Sequence, residues 1–155
     1  MSNFNSGNFK IGPSIVAYKG TLLGGTKGGV KISIDTDTYE VTCDQSYGQP
    51  VRKIPLSVKI VITMTMLEVD KGLEQLLSED KLSNALLGSD LLANGGELLL
   101  TPINSNDSTG YRFPNAVLDV NSNVDLFATE LHSVTLKFTA EADVNGTFLQ
   151  KVNVA

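Results

Sequence analysis

The chain has 155 residues, 41% of them hydrophobic and 19% charged, and a formal net charge of -5 at pH 7. This length suits one domain, and the composition is typical of a folded protein. The negative charge argues against a protein that gains affinity by neutralising nucleic-acid phosphates. A single cysteine, Cys43, excludes an intrachain disulfide and a cysteine-cluster zinc site.

The first residues predict neither secretion nor membrane insertion. Met1–Gly7 lacks the basic and apolar regions of a secretory signal, and the sequence has no apolar run long enough for a transmembrane helix. We therefore expect a protein made and folded in the cytoplasm, without membrane insertion.

Residues 1–12 are rich in Asn, Ser and Gly, with Phe4 and Phe9 spaced among them. Such a composition predicts a flexible N-terminal arm, followed by a single domain at residues 13–155. Two interpretations of the arm stay open. It is either a frayed terminus or an arm that docks its two phenylalanines on a neighbouring subunit.

The first half of the domain predicts β-strands. A short strand from Pro13 ends before a glycine-rich turn at residues 24–29, whose spacing is not that of a phosphate-binding loop. Alternating apolar and polar residues then predict strands at residues 30–43 and 51–67, joined by a turn. In the second of these strands, the alternation turns Val58, Ile60 and Ile62 towards the core. The same alternation predicts that Cys43 is a small apolar residue of the first of these strands.

The second half adds one helix and more strands. Leucines recurring at three to five residue steps predict a helical face; they are Leu73, Leu76, Leu77, Leu82 and Leu86. Further strands are predicted at residues 97–102, 133–142 and 148–154, and a loop at residues 104–110 opens onto residues 111–118. The fold class is therefore β-rich α+β, with antiparallel strands and one α-helix.

The sequence offers little for catalysis. His132 is the only histidine, and it has no nucleophile motif to serve. The carboxylates are scattered over turns and strand edges, so no acid/base pair or metal site is predicted. We expect no enzyme activity, no cofactor and no metal.

Several short motifs together resemble the tail tube proteins of long-tailed bacteriophages. They are Gly25–Val30 before a strand, Val41–Gln45 with Gly48–Arg52, the long strand passing into an acidic-led helix at Glu68, and Tyr111–Val117 before closing antiparallel strands. The resemblance spans about residues 20 to 145. The Asn-rich arm and the basic pair Arg52 and Lys53 depart from the commoner pattern.

The resemblance implies a β-sandwich or barrel flanked by one helix, and subunits that form hexameric rings stacked into a hollow tube. The expected partners are further copies of the chain and the tape-measure, tail terminator and baseplate proteins, with DNA passing through non-specifically. The implied location is the virion tail. Contractile injection systems and type VI secretion use related tubes.

The resemblance also implies two sets of site residues. A polar sheet face would line the bore, with Lys31, Asp35, Asp37, Lys59 and Thr63 directed at the passing genome. We expect lysines in this set to lie near carboxylates, because an unpaired ring of lysines would retain DNA. Contacts between stacked rings are expected at Phe4, Phe9, Tyr47, Arg52 and Lys53. We also expect Arg52 and Lys53 to pair across strands with Asp35, Asp37 or Asp44.

Other functions stay open on the sequence alone. The chain could be a capsid decoration protein, a baseplate component, the inner tube of a contractile injection system, or a small β-barrel binding module. A tube protein must polymerise, and this distinguishes it from a binding module.

Overall fold

The computed structural model describes residues 13–68, 70, 95–103, 109–126 and 132–153. Within them, eight strands form one sheet whose pairings are all antiparallel. The strands are β1 (Ser14–Tyr18), β2 (Thr21–Gly24), β3 (Thr26–Thr42), β4 (Pro50–Met66), β5 (Gly96–Pro102), β6 (Thr109–Asp125), β7 (Ser133–Glu141) and β8 (Gln150–Asn153). A short 3-10 turn at Asp44–Ser46 connects β3 to β4.

The strand order is β2-β1-β5-β6-β7-β4-β3, and β8 pairs with β6. β7 pairs with residues 115–125 of β6, and β8 pairs with residues 109–112 of the same strand. β5 pairs with one edge of β6. β7 and β8 therefore pair with its opposite edge, one after the other along the strand. Arg112 ties these strands together, since its guanidinium donates hydrogen bonds to Glu97 on β5 and Gln150 on β8 at 2.7 and 2.8 Å.

The two end strands of the sheet, β2 and β3, are joined by Gly25 alone. The Leu67 amide donates to the Gly25 carbonyl at 3.1 Å, and the Gly25 amide donates to the Glu68 carboxylate at 3.2 Å. The sheet must therefore curl so that its ends meet at this point. A β-sandwich or closed barrel is not confirmed, because no ladder joins β2 to β3 in the described part of the chain.

One hydrophobic cluster fills the inside of the curled sheet, with side chains from six strands. Tyr18 on β1 is fully buried, and its ring centroid lies 4.8 Å from that of Phe138 on β7. The Tyr18 hydroxyl donates to the Ala116 carbonyl at 2.9 Å, which satisfies a polar group inside the core. The alternation in β4 places Ile60 and Ile62 in this cluster.

The β-rich antiparallel prediction is confirmed, and the two long predicted strands correspond to β3 and β4. The predicted α-helix is not confirmed, since Leu73–Leu86 lies outside the described residues. The last strand begins at Gln150 instead of residue 148. The inward position of Val58 is wrong: its exposure is 39%, because β4 has a second neighbour, β7, only from Ile60 onward.

Gly24 is the residue in the β2–β3 connection that we expect to tolerate a side chain least. Its φ is +91°, and an added Cβ would overlap the Glu68 carboxylate that accepts from the Gly25 amide. Gly20 is the matched control, with φ +81° and open space around its Cβ position. We expect Gly20→Ala to cost about 1 kcal/mol from backbone strain alone.

We expect Gly24→Ala to lower the free energy of unfolding further, by about 1 kcal/mol for the lost hydrogen bond, as measured by urea denaturation. In a Glu68→Ala background the two glycine substitutions should have equal effects. Unequal effects in that background would show that Glu68 is not the source of the difference.

Candidate functional site

A polar face covers the side of the sheet opposite the core on β3, β4, β7 and β6. Cross-strand register aligns its residues in rows, because directly paired residues point to the same side. Lys31 on β3 lies opposite Thr63 on β4. Thr63 lies opposite Lys137 on β7, and Lys137 lies opposite Asp119 on β6.

A second part of this polar face lies further along the hairpin of β3 and β4. Asp35 is paired in register with Lys59, and Asp37 with Ser57. The Ser57 hydroxyl donates to the Asp37 carboxylate at 3.2 Å. The expected proximity of lysine to carboxylate is thus present in the register for Lys59.

The structure brings the five residues expected to line a bore onto this one face. Sequence reasoning missed four others, namely Asp119, Thr135, Lys137 and Thr139. The signal for the last three was the alternation of β7, in which every second residue is polar, whereas Asp119 lies on β6. Among the nine residues named here, three lysines balance three aspartates in formal charge at neutral pH; these are Lys31, Lys59, Lys137, Asp35, Asp37 and Asp119.

Residues 35–59 form an outer hairpin that extends beyond the rest of the sheet. Among the described strands, β3 and β4 pair only with each other in this range, because the β4–β7 ladder begins at Ile60. Ten residues of β4 separate Pro50 from Ile60, so the hairpin protrudes by roughly 30 Å. None of its side chains is buried.

The outer hairpin exposes large apolar side chains. Tyr39 is 60% exposed and Leu56 67% exposed, and Val51 is similarly accessible. Tyr39 lies opposite Ile54. Such a concentration of apolar surface on a two-stranded ribbon is typical of an interface.

The apolar side of β3 changes along its length. Near the body of the sheet, Ile32 and Ile34 are on the core side. The register between β3 and β4 shifts after Asp37. Beyond this shift, the apolar residues Tyr39 and Val41 are on the same side of β3 as Asp35, which is the side of the polar face. The apolar side of the outer hairpin, with Tyr39, Val41 and Ile54, is therefore opposite to the side on which the rest of the sheet packs its core. This apolar side is available to another surface.

The tip of the hairpin has its own hydrogen bonds. The Ser46 hydroxyl lies 2.8 Å from the Cys43 carbonyl and 2.7 Å from the Gln49 carbonyl. Tyr47 follows in the left-handed conformation with φ +53°, and it is 93% exposed. Cys43 is exposed immediately after β3, so its interpretation as a strand residue is wrong.

The basic pair has a different acidic partner from those expected. Lys53 lies opposite Glu40 and forms an ion pair with it at 3.4 Å. Arg52 lies opposite Val41 and is exposed. The expected pairing with Asp35, Asp37 or Asp44 is therefore wrong, because the register places those aspartates elsewhere on the hairpin. Phe4 and Phe9 lie outside the described residues.

The described residues show no arrangement suited to metal chemistry, since no three of their His, Cys, Asp and Glu side chains are grouped to hold an ion. His132 is exposed just before β7. Where the structure describes the chain, no helix has the length and apolar character needed to cross a membrane. The surfaces that stand out are thus the polar face and the outer hairpin.

The sequence matches no protein-family model and no curated protein. Several solved structures are similar in fold, and two of them come from an extracellular contractile injection system. One is a chain from the cryo-EM structure of the sheath/tube terminator of an extracellular contractile injection system, PVC, with 14% identity, a TM-score of 0.52, and coverage of 92% of this chain and 96% of that chain. The other comes from the PVC sheath-tube complex in its extended state, with 14% identity, a TM-score of 0.51, and coverage of 98% and 99%.

These likenesses establish a shared fold. The chain thus shares its fold with one chain of each of these two structures, over nearly the whole length of both chains.

We expect the apolar side of the outer hairpin to contribute little to the stability of the isolated chain. Replacing Tyr39 and Ile54 together by serine removes one cross-strand pair outside the core, worth about 0.2 to 1 kcal/mol. Phe138→Ala, in the buried core, should lower the free energy of unfolding by about 3 to 5 kcal/mol. Urea denaturation at low protein concentration measures both. A loss with the hairpin variant as large as that with Phe138→Ala would show that the hairpin packs on its own core.

Proposed function

We propose that this chain is a non-enzymatic structural protein that assembles with copies of itself into stacked hexameric rings, forming the hollow tube of a phage tail or related injection system. The observation that carries the proposal is the outer hairpin, which exposes apolar side chains along a ribbon supported only by its own two strands. The shared fold supports the same conclusion.

The physical argument starts from the instability of an isolated ribbon. A two-stranded hairpin is marginally stable in water, and it gains stability when one of its faces packs against another surface. Burying the parts of Tyr39, Val51 and Leu56 that are exposed, 59 to 67% of each residue, would contribute about 1 to 2 kcal/mol each. An interface that buries the outer hairpin therefore stabilises both the ribbon and the assembly.

A contact between the hairpin of one copy and a different surface of the next is heterologous. Such a contact generates rings when the rotation closes and filaments when it does not. In stacked rings, contacts around the ring close on themselves, and contacts along the tube axis repeat without closing. In this arrangement the chain is a component of the virion or injection particle, and tape-measure, tail terminator and baseplate proteins are its further partners.

The polar face then lines the bore. Its balanced set of lysines and aspartates suits a surface over which DNA passes without being retained, because repeated unpaired lysines would multiply around a symmetric ring. The cross-strand pair of Asp35 and Lys59 supports this, since each lysine charge that has an aspartate beside it attracts phosphates less.

Assembly is the direct test of the proposal. We expect the purified protein to form rings or tubes, visible by negative-stain microscopy and as fast-sedimenting species. Replacing Tyr39 and Ile54 by serine should leave the chain folded and lower assembly at least tenfold, because the apolar side of the hairpin is lost. Leu22→Ser is the control, since Leu22 is an equally exposed apolar residue on β2, away from the hairpin.

Two results would contradict the proposal. One is wild-type protein that stays monomeric at every concentration tested. The other is assembly that is lost with Leu22→Ser but kept with the hairpin variant.

The charge of the polar face gives a further expectation. Replacing Asp35 and Asp37 together by lysine should slow genome ejection or retain DNA in the tubes that form, apart from any effect on assembly that comes from their place in the outer hairpin. The replacement of both by asparagine is the control, because it removes the same carboxylates without adding positive charge. Ejection kinetics of reconstituted particles measure the effect, and unchanged ejection with the lysine variant would place these residues outside the bore.

A further inference from the structure

An apolar groove lies where β1, β3, β5 and β6 meet, at the start of the described chain. Its volume is about 280 Å³, and its walls include Pro13, Val30, Ile32, Leu100, Pro102 and Tyr111. Leu100 is buried, Val30 and Ile32 pack partly against the core, and Tyr111 remains 37% exposed. The groove is therefore an opening at the edge of the core. Its volume is just below the range of small-molecule pockets, and it suits a single large side chain.

The chain enters the described structure at the rim of this groove. Pro13 forms part of the wall, and its carbonyl accepts a hydrogen bond from the Ile103 amide at 3.2 Å, which fixes its position. Residues 1–12 are therefore attached to the rest of the chain at the groove, through Pro13. Four residues of chain span at most about 14 Å, so Phe9 is within reach of it. Ile11 is two residues from Pro13 and has a reach of about 7 Å, which is too short for the chain to turn back and place its side chain in the groove.

Two other segments outside the described residues are poorer candidates. Residues 104–108 precede Thr109, which lines the groove, but they are Asn, Ser, Asn, Asp and Ser, with no apolar side chain to fill it. The leucine-rich residues 71–94 precede Gly95 and Gly96, and Gly96 is at the opposite end of β5 from Pro102. Phe9 is thus the aromatic side chain of residues 1–12 that is closest in sequence to Pro13, and it has reach enough to enter the groove.

We propose that the groove is a binding site for Phe9 of the same chain. The tether keeps the phenyl ring at an effective concentration in the millimolar range, so even a weak apolar contact is populated. Gly12 supplies the backbone freedom that a return towards the groove requires. The arm is then anchored by Phe9, and Phe4 is left without a place in this groove. This inference does not depend on tube assembly, because it concerns a single chain.

The absence of tryptophan from the sequence provides a clean probe. Phe9→Trp and Phe4→Trp each introduce a sole tryptophan, and both are measured at concentrations too low for association. We expect the indole at position 9 to emit at shorter wavelength and to be quenched several-fold less by acrylamide than the indole at position 4. Adding Tyr111→Ser, which opens one wall of the groove, should return the emission at position 9 towards that of solvent.

A second measurement avoids the larger indole ring. In methyl NMR spectra, Phe9→Ala should shift the resonances of Val30 and Ile32, because the ring current of the phenyl group is removed, and Phe4→Ala should not. Solvent-like emission from Phe9→Trp together with unchanged methyl resonances would overturn the proposal. Burial that appears only as chains associate would overturn it as well, since the groove would then hold the arm of a second copy.

Discussion

The structure depends on how β4 is supported along its length. From Ile60 to Met66 the strand is paired with β3 on one side and β7 on the other, and its alternate side chains are buried in the core. From Pro50 to Lys59 it is paired with β3 alone, and the same alternation no longer leads to burial. One strand thus contributes both to the stable body and to a ribbon that needs another surface.

Sequence patterns predicted the strands well because alternation is a local property. The bounds of β3 and β4 agree with those predicted to within a few residues, and Ile60 and Ile62 are buried as expected. Val58 continues the same alternation but is not buried, because burial depends on β7, more than sixty residues away in sequence. Periodicity shows which side chains share a face, and the number of neighbouring strands decides whether that face is covered.

The candidate site shows the same division. The five residues expected on a polar face do share one, since they follow from alternation within β3 and β4. The contribution of Lys137 and Asp119 depends on the β4–β7–β6 order, which no local pattern specifies. The ion pair of Lys53 with Glu40 depends on a register shift after Asp37, and single-residue shifts of this kind cannot be read from composition.

The central claim is that the outer hairpin is an interface between copies of this chain. Hydrogen exchange of the amides in residues 35–59 tests it most directly, with dilute protein compared with concentrated protein. The account predicts fast exchange of the outward-facing β3 amides in dilute solution and strong protection on assembly, with little change in β7. Assembled protein whose hairpin amides exchange as fast as those of the dilute chain would contradict it.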